Sequence, residues 1–199
     1  MLMRRLPTQG VPLSIHLLIA WMVVFASTAF AQNVAVAQPP SRVNLGSTAG
    51  APGTRLTVPI YFNPAPGVVA GKLFLSVRYV SNSLRFEKIE PGLDAELNGI
   101  EFQSKATEGK NDKGLNEQTV VITAAAGAKK KPIPSGLLGY ISYAISEEGK
   151  AATITLRTTA EASDMASGAK LANLRAFDAE VEVQLPGDPP AIICFFFTH

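Results

Sequence analysis

Several residue types on which catalysis and metal binding depend are scarce in this chain. Its 199 residues include one Cys, two His and one Trp, and only 17% are charged. A single Cys cannot close an intramolecular disulfide, and zinc or copper sites need more Cys and His ligands than the chain offers. The Cys, Cys194, and the last residue, His199, lie near the C-terminus, where a catalytic imidazole is difficult to hold rigidly. The sequence therefore predicts no catalytic residue, no metal site and no bound cofactor.

The first 31 residues have the pattern of a secretory signal peptide. Arg4 and Arg5 precede an apolar run over residues 11–25, and a small-x-small cleavage site ends at Ala31. We expect an exported protein at the cell surface, in the extracellular space or in the periplasm. Cleavage removes two of the 18 basic residues, which leaves 16 basic against 16 acidic residues. Since the sequence pI of 8.7 reflects the signal peptide, the domain carries no charge signal for nucleic-acid binding.

The remaining chain divides into three predicted segments. Residues 32–41 form a polar, Pro-containing flexible leader, residues 42–185 a folded domain, and residues 186–199 an apolar tail. The tail has seven consecutive apolar residues from Ala191 to Phe197, whereas a membrane helix needs about twenty, so we expect no membrane span in the mature chain. The tail either docks on the domain as an added strand or is the stub of a longer anchor.

Alternating apolar and polar residues indicate β-strands throughout the domain. The clearest are residues 54–62 and 72–79, and Pro59 within the first indicates an edge strand or a bulge. Further strands are predicted over residues 84–89, 99–104, 119–125, 137–145, 152–158 and 177–185. Residues 160–174 are predicted as a loop or a single helical turn. Many short strands separated by turn signals are typical of an all-β sandwich or barrel.

The order of several motifs resembles that of a bacterial cohesin domain. Residues 46–54 (GSTAGAPGT) lead into LTVPIYF, and a long strand ends at Tyr79 with Asn82, Leu84 and Pro91-Gly92 after it. Residues 135–141 (SGLLGYI) resemble the entry to a late strand of that family, and residues 177–185 its closing strand. The resemblance covers about residues 43–185, and the individual motifs are degenerate.

The resemblance implies a jelly-roll β-sandwich of about nine strands and a function in protein binding. Cohesins bind dockerin modules of other secreted proteins, have no catalytic activity, and recruit polysaccharide-degrading enzymes in cellulosomes. We therefore expect an exported, non-catalytic module that docks a dockerin-like partner. Calcium, where it is needed, would belong to the partner.

The resemblance also implies a binding face that includes the outward residues of the long strand. The matching positions are Lys72, Phe74, Ser76 and Arg78. Cohesins usually carry small polar residues where this chain has Lys72 and Phe74, so the partner is expected to differ from a standard dockerin. Either Phe74 anchors that partner, as aromatic residues often do, or loops of the same chain cover it.

Two other function classes remain open at this point. A carbohydrate-binding module of jelly-roll type would need an aromatic platform, for which outward-facing Tyr61 and Tyr143 are the candidates. A structural or adhesive surface domain could assemble through its edges or its tail. The neighbouring acids Glu87/Glu90 and Glu147/Glu148 could in principle cleave glycosides, but neither pair lies beside the aromatic residues that line sugar sites.

Overall fold

The computed structural model describes residues 39–185 and Gly187. The predicted signal peptide and almost all of the apolar tail, including Cys194 and His199, lie outside these residues. Within them the chain forms eleven strands and one helix: β1 Ser41–Leu45, β2 Thr48–Gly50, β3 Arg55–Asn63, β4 Ala70–Val80, β5 Leu84–Pro91, α1 Leu93–Asn98, β6 Ile100–Lys110, β7 Asn116–Ala126, β8 Gly136–Ile145, β9 Ala152–Asp164, β10 Leu174–Phe177 and β11 Ala179–Val183.

The strands form two mixed sheets that pack face to face. The first sheet has the order β10-β1-β3-β8-β5, and the second has the order β2-β11-β9-β4-β7-β6. Neighbouring strands are antiparallel except at β1–β10 and β2–β11, where an N-terminal strand runs parallel to a C-terminal one. The predicted all-β sandwich is thus confirmed, with eleven strands in place of about nine.

The alternation in the sequence decides which side chains enter the core. In β4, Leu73, Leu75 and Val77 are at most 2% exposed, whereas Lys72 and Phe74, which alternate with them, face outward. Successive residues of a strand point to opposite faces, so this period of two buries one face and leaves the other in solvent. Each fully buried aliphatic side chain stabilises the fold by about 1.5–3 kcal/mol.

Two tyrosines, one from each sheet, meet in the middle of the core. The rings of Tyr79 in β4 and Tyr143 in β8 form an edge-to-face pair with centroids 5.4 Å apart. The Tyr79 hydroxyl donates a hydrogen bond to Oε1 of Gln118, and the same oxygen accepts the backbone N–H of Phe86 at 3.2 Å. Since Gln118 belongs to the second sheet and Phe86 to the first, this amide joins the sheets by a polar contact.

The hydroxyl groups of this tyrosine pair differ in their surroundings. Among the described residues, the Tyr143 hydroxyl has no hydrogen-bond partner although it is buried. Burial raises the pKa of both tyrosines, because the interior disfavours the phenolate. Both side chains are therefore neutral. The sequence-based suggestion that Tyr143 faces outward is wrong, because its strand turns that position into the core.

Other departures from the sequence prediction occur where local patterns are weak. Strands β1 and β2 were not predicted, since each is short and gains its partners from distant β3, β10 and β11. Strand β9 continues to Asp164, through part of the predicted loop, because residues 160–164 pair with β4. Helix α1 was also missed; it has only six residues and ends at Gly99, whose φ of 69° is accessible to glycine at little cost.

Pro59 lies in a central strand, not at an edge. Strand β3 is flanked by β1 and β8, and its register with β8 shifts between Ile60 and Tyr61. Of the two alternatives that Pro59 indicates, an edge strand or a bulge, the structure has an irregular register close to Pro59 and not the edge position. The Pro59 carbonyl still accepts the N–H of Gly46 at 2.9 Å, so the residue lacks only the donor that its ring removes.

Candidate functional site

The outer face of the second sheet carries the residues that the sequence singles out. Strand β4 lies between β9 and β7, and residues directly opposite one another in these antiparallel pairs point to the same side. We call the outward side chains of β9, β4, β7 and β6 the Phe74 face. Its central members are Lys72, Phe74, Ser76 and Arg78 of β4, Thr119, Val121 and Thr123 of β7, and Arg157, Thr159 and Glu161 of β9.

An exposed apolar pair occupies the middle of this face. Phe74 is 39% exposed and Val121 is 41% exposed. Phe74 lies opposite Thr123 and Ser76 lies opposite Val121, so the two apolar side chains are diagonal neighbours on adjacent strands. No loop of the described chain covers Phe74 to the extent of burying it. An apolar centre with polar side chains around it is an arrangement found in protein-binding surfaces.

Lys72 packs against the exposed ring. Its Nζ atom lies 4.4 Å from the centroid of Phe74, within the range of a cation–π interaction. On the neighbouring strand β9, Glu161 lies directly opposite Phe74 and forms an ion pair with Lys170 at 2.6 Å. At this end of the face Glu161 is therefore paired with a base, and Lys72 contacts the aromatic ring.

The opposite end of the face is basic. Arg78 lies four residues from Phe74 on the same strand, directly opposite Arg157 of β9. Its Nε atom is 3.5 Å from Glu117 Oε1, and about half of its side chain is exposed. The structure thus brings Lys72, Phe74, Ser76 and Arg78 onto one face, as the alternation of β4 predicts.

The sequence did not identify the neighbours that complete this face. Val121 and Arg157 lie on predicted strands, but nothing local to either strand says which residue of β4 each one meets. The strand pairing supplies that information, since a shift by a single residue would turn Val121 inward. The one available signal was that Val121, an apolar residue, shares a face with Thr119 and Thr123 in the alternation of β7.

The outer face of the first sheet is polar over β3, β8 and β5. Glu87 forms ion pairs with Arg55 at 3.0 Å and with Arg85 at 3.9 Å. Glu90 accepts hydrogen bonds from Lys88 at 2.7 Å and from the Ser142 hydroxyl at 3.1 Å. These donors, Lys88 first, hold the pKa of Glu90 below its ordinary value of 4.5.

This geometry argues against the acid pair Glu87/Glu90 as a glycosidase site. Such a site needs one carboxyl group with a raised pKa to act as the general acid. Glu90 has a lowered pKa instead, and Glu87 is paired with arginines. The other candidates, Glu147 and Glu148, lie exposed in the turn after β8.

Within residues 39–185, no three His, Cys, Asp or Glu side chains are grouped so that they could hold a metal ion. In the same part of the chain, no helix is long and apolar enough to cross a membrane. Lys129, Lys130 and Lys131, which the sequence predicts to be a solvated loop tip, are exposed in the turn after β7.

Solved structures of cohesin domains share this fold. The cohesin of the OlpA–Doc918 cohesin–dockerin complex from Clostridium thermocellum has a TM-score of 0.57 and 14% identity, covering 73% of this chain and 99% of that one. The third cohesin of ScaC from Acetivibrio cellulolyticus, solved with the ScaB dockerin, has a TM-score of 0.54 and 18% identity, covering 72% and 98%.

A non-cellulosomal cohesin from the archaeon Archaeoglobus fulgidus is also similar, with a TM-score of 0.54 and 16% identity, covering 73% of this chain and 91% of that one. No protein-family model and no curated protein matches the sequence. The chain therefore has the cohesin fold, and the resemblance drawn from its motifs is confirmed at the level of the fold.

Proposed function

We propose that this chain is an exported, non-catalytic binding module that docks a dockerin-like protein through the Phe74 face. The observation that carries the proposal is the exposed pair Phe74 and Val121 at the centre of a flat sheet in a cohesin fold. Two of the similar structures are complexes of a cohesin with a dockerin. Assemblies that degrade polysaccharides, or that form at the cell surface, are the setting this function would serve.

Within the proposed interface, Phe74 is the anchor and the other predicted residues orient the partner. The ring offers a rigid apolar surface that Lys72 holds in place from one side. Ser76 leaves space beside the ring and can exchange a hydrogen bond with the partner, while Arg78 provides a planar donor for a carboxylate. Interfaces commonly concentrate their free energy in one such aromatic residue with an arginine nearby.

The carbohydrate-binding alternative loses one of its two candidate residues, because Tyr143 is buried. The other candidate, Tyr61, is partly exposed on the first sheet and could contact a sugar. Binding of the chain to insoluble polysaccharide should therefore be measured as well.

A capture experiment with matched variants tests the proposal. The chain from residue 32 onward is immobilised and exposed to secreted and envelope fractions of the source organism, with calcium and with a chelator. We expect calcium-dependent capture of a protein with a dockerin-like repeat. Phe74→Asp should weaken capture by about 2 kcal/mol or more, which is about 30-fold, and Phe74→Thr, which retains β-propensity, should weaken it as well.

Phe177→Asp is the matched control. Phe177 is 45% exposed, similar to Phe74, but it lies on β10 of the first sheet. Capture that is equally sensitive to both substitutions would remove the Phe74 face as the docking surface. Binding to insoluble polysaccharide without any captured protein would favour the carbohydrate-binding function instead.

A further inference from the structure

An open groove of about 630 Å³ lies at the basic end of the second sheet. Four cationic side chains line it, and they come from separate parts of the chain. Arg78 belongs to β4, Arg157 to β9 and Lys110 to the end of β6, while Lys113 lies in the turn between β6 and β7. Because β4, β9 and the segment with Lys110 and Lys113 are distant from one another in sequence, only the folded sheet brings their positive charges together.

The positive charges of this groove are incompletely neutralised. Arg78 and Arg157 lie directly opposite each other in the antiparallel pair β4–β9, an arrangement that is unfavourable for like charges. Glu117 pairs with Arg78, and Asp112 is the other acid that lines the groove. Among the described residues, Arg157, Lys110 and Lys113 have no carboxylate within 4.0 Å.

The shape of the groove favours an extended acidic peptide. Its remaining walls carry short polar side chains, such as Asn82, Ser83 and Thr153, which leave room for a backbone and can hydrogen-bond to it. Arginine binds carboxylates with two parallel hydrogen bonds, so Arg78 and Arg157 could each hold one acidic side chain. The exposed aromatic rings on which nucleic-acid bases would stack are absent, since the one tyrosine there, Tyr79, is buried.

The groove is continuous with the Phe74 face. Arg78 and Phe74 are four residues apart on one side of β4, which corresponds to about 13 Å along the strand. A segment that packs on Phe74 can therefore extend into the groove. At the other end of the face, Lys72 and the Glu161–Lys170 pair are already engaged with neighbouring groups. The two ends of the face therefore differ: the groove end holds two arginines directly opposite each other, and the other end holds the Glu161–Lys170 ion pair and Lys72 against the ring of Phe74.

We propose that the groove at Arg78 and Arg157 binds an acidic segment of the docking partner and thereby sets the direction in which that partner lies across the Phe74 face. This inference rests on the proposed docking function for its biological role. The binding of an acidic peptide to the groove can nevertheless be measured without the partner.

The test uses a short fluorescein-labelled peptide of alternating aspartate and serine residues, with a lysine–serine peptide as the charge-reversed probe. The chain from residue 32 onward is titrated with each peptide by fluorescence polarisation, and amide shifts are followed by NMR. We expect the aspartate peptide to bind and the lysine peptide not to bind. The aspartate peptide should also change the NMR chemical shifts of backbone amides that line the groove. Arg78→Thr and Arg157→Thr should each weaken binding by about tenfold or more, because each removes a charged hydrogen bond.

Arg175→Thr is the matched control. Arg175 is exposed on β10 of the first sheet and lies opposite another arginine, Arg42, so it resembles Arg157 in charge and surroundings. Equal weakening by Arg175→Thr, or no amide shift in the groove, would overturn the proposal. Competition by inorganic phosphate at the concentration of the peptide would also overturn it, since the groove would then be a simple anion site.

Failure of this inference and failure of the docking function give different results. If the groove does not bind an acidic segment, the aspartate peptide fails while capture of the partner remains sensitive to Phe74→Asp. If the chain does not dock a protein, capture fails while the peptide result stands by itself.

Discussion

The outer surface of β5 in the first sheet pairs its carboxylates with basic side chains, whereas the outer surface of β4 and β9 in the second sheet exposes an aromatic ring and an unpaired arginine among the described residues. Glu87 and Glu90 have ion-pair partners on their own surface, and the buried hydroxyl of Tyr143 in the first sheet has no hydrogen-bond partner among the described residues. On the second sheet, the Tyr79 hydroxyl is hydrogen-bonded in the core, Phe74 is 39% exposed, and Arg157 has no carboxylate of the described residues within 4.0 Å.

This contrast indicates which of the two outer surfaces is more suited to binding a partner. Over β3, β8 and β5 the first sheet pairs its outward charges within the chain, and its exposed Phe177 and Arg175 lie apart from these strands, on β10. The second sheet fixes its interior by a polar contact and leaves apolar surface and positive charge outside. Surfaces with both features are typical of binding sites. The comparison can be tested inside the core as well as on the two faces.

The largest effect on stability is expected at Gln118, whose side-chain oxygen accepts hydrogen bonds from both sheets. Gln118→Leu removes the oxygen that accepts hydrogen bonds from Tyr79 and from the backbone of Phe86. Leaving both donors without a partner should lower the free energy of unfolding by about 2–4 kcal/mol. Urea denaturation measures this value, with Gln103→Leu on the exposed side of β6 as the control. A loss below about 1 kcal/mol would show that the amide contributes little.

Removal of the hydroxyl group should change the free energy of unfolding in opposite directions at the two core tyrosines. Tyr79→Phe removes a hydrogen bond and should destabilise the protein by about 1 kcal/mol. Tyr143→Phe removes a buried hydroxyl that has no partner among the described residues and should stabilise it by about 1 kcal/mol. Thermal unfolding of both variants checks the difference. Destabilisation by Tyr143→Phe equal to that by Tyr79→Phe would contradict the contrast between the sheets.

The smallest effects are expected on the outer faces. Arg157→Thr relieves the cross-strand repulsion with Arg78 and should raise the free energy of unfolding by about 0.2–1 kcal/mol. Arg55→Thr breaks the ion pair with Glu87 and should lower it by about 0.2–1 kcal/mol. Urea denaturation at low ionic strength, where screening is weak, measures the sign of each change in the free energy of unfolding. If both substitutions lower the free energy of unfolding, Arg157 stabilises the fold, and its position is explained without a binding partner.

Local sequence patterns predicted much of the fold because the strands that carry them are long. The alternation in β4 correctly separated Leu73, Leu75 and Val77 from the outward residues Lys72 and Phe74. A period of two is a property of a single strand, so it can be read without knowing the partner strands. The sequence left open whether Tyr143 faces outward, since which face of β8 is buried depends on the sheet that packs against it, and the structure buries this side chain.

The candidate site was predictable only in part, because a binding face is assembled across strands. The residues of β4 could be identified one strand at a time, but Val121 and Arg157 join them through the pairing of β4 with β7 and β9. The sequence of a single strand does not show which strand it pairs with or in which register. The groove at Arg78 is harder still to predict, since Lys110 reaches it from the end of β6 and Lys113 from the turn that follows.

The parallel pairing of the terminal strands has a consequence for the kinetics of folding. Strands β1 and β2 each pair with a strand near the other end of the domain, and the Glu180 N–H reaches Ser47 Oγ across 133 residues. Contacts between residues so far apart raise the contact order, and the entropy of closing such long loops slows folding. The central strands can pair earlier in chain synthesis, but both sheets gain their last strands only after β10 and β11 have left the ribosome.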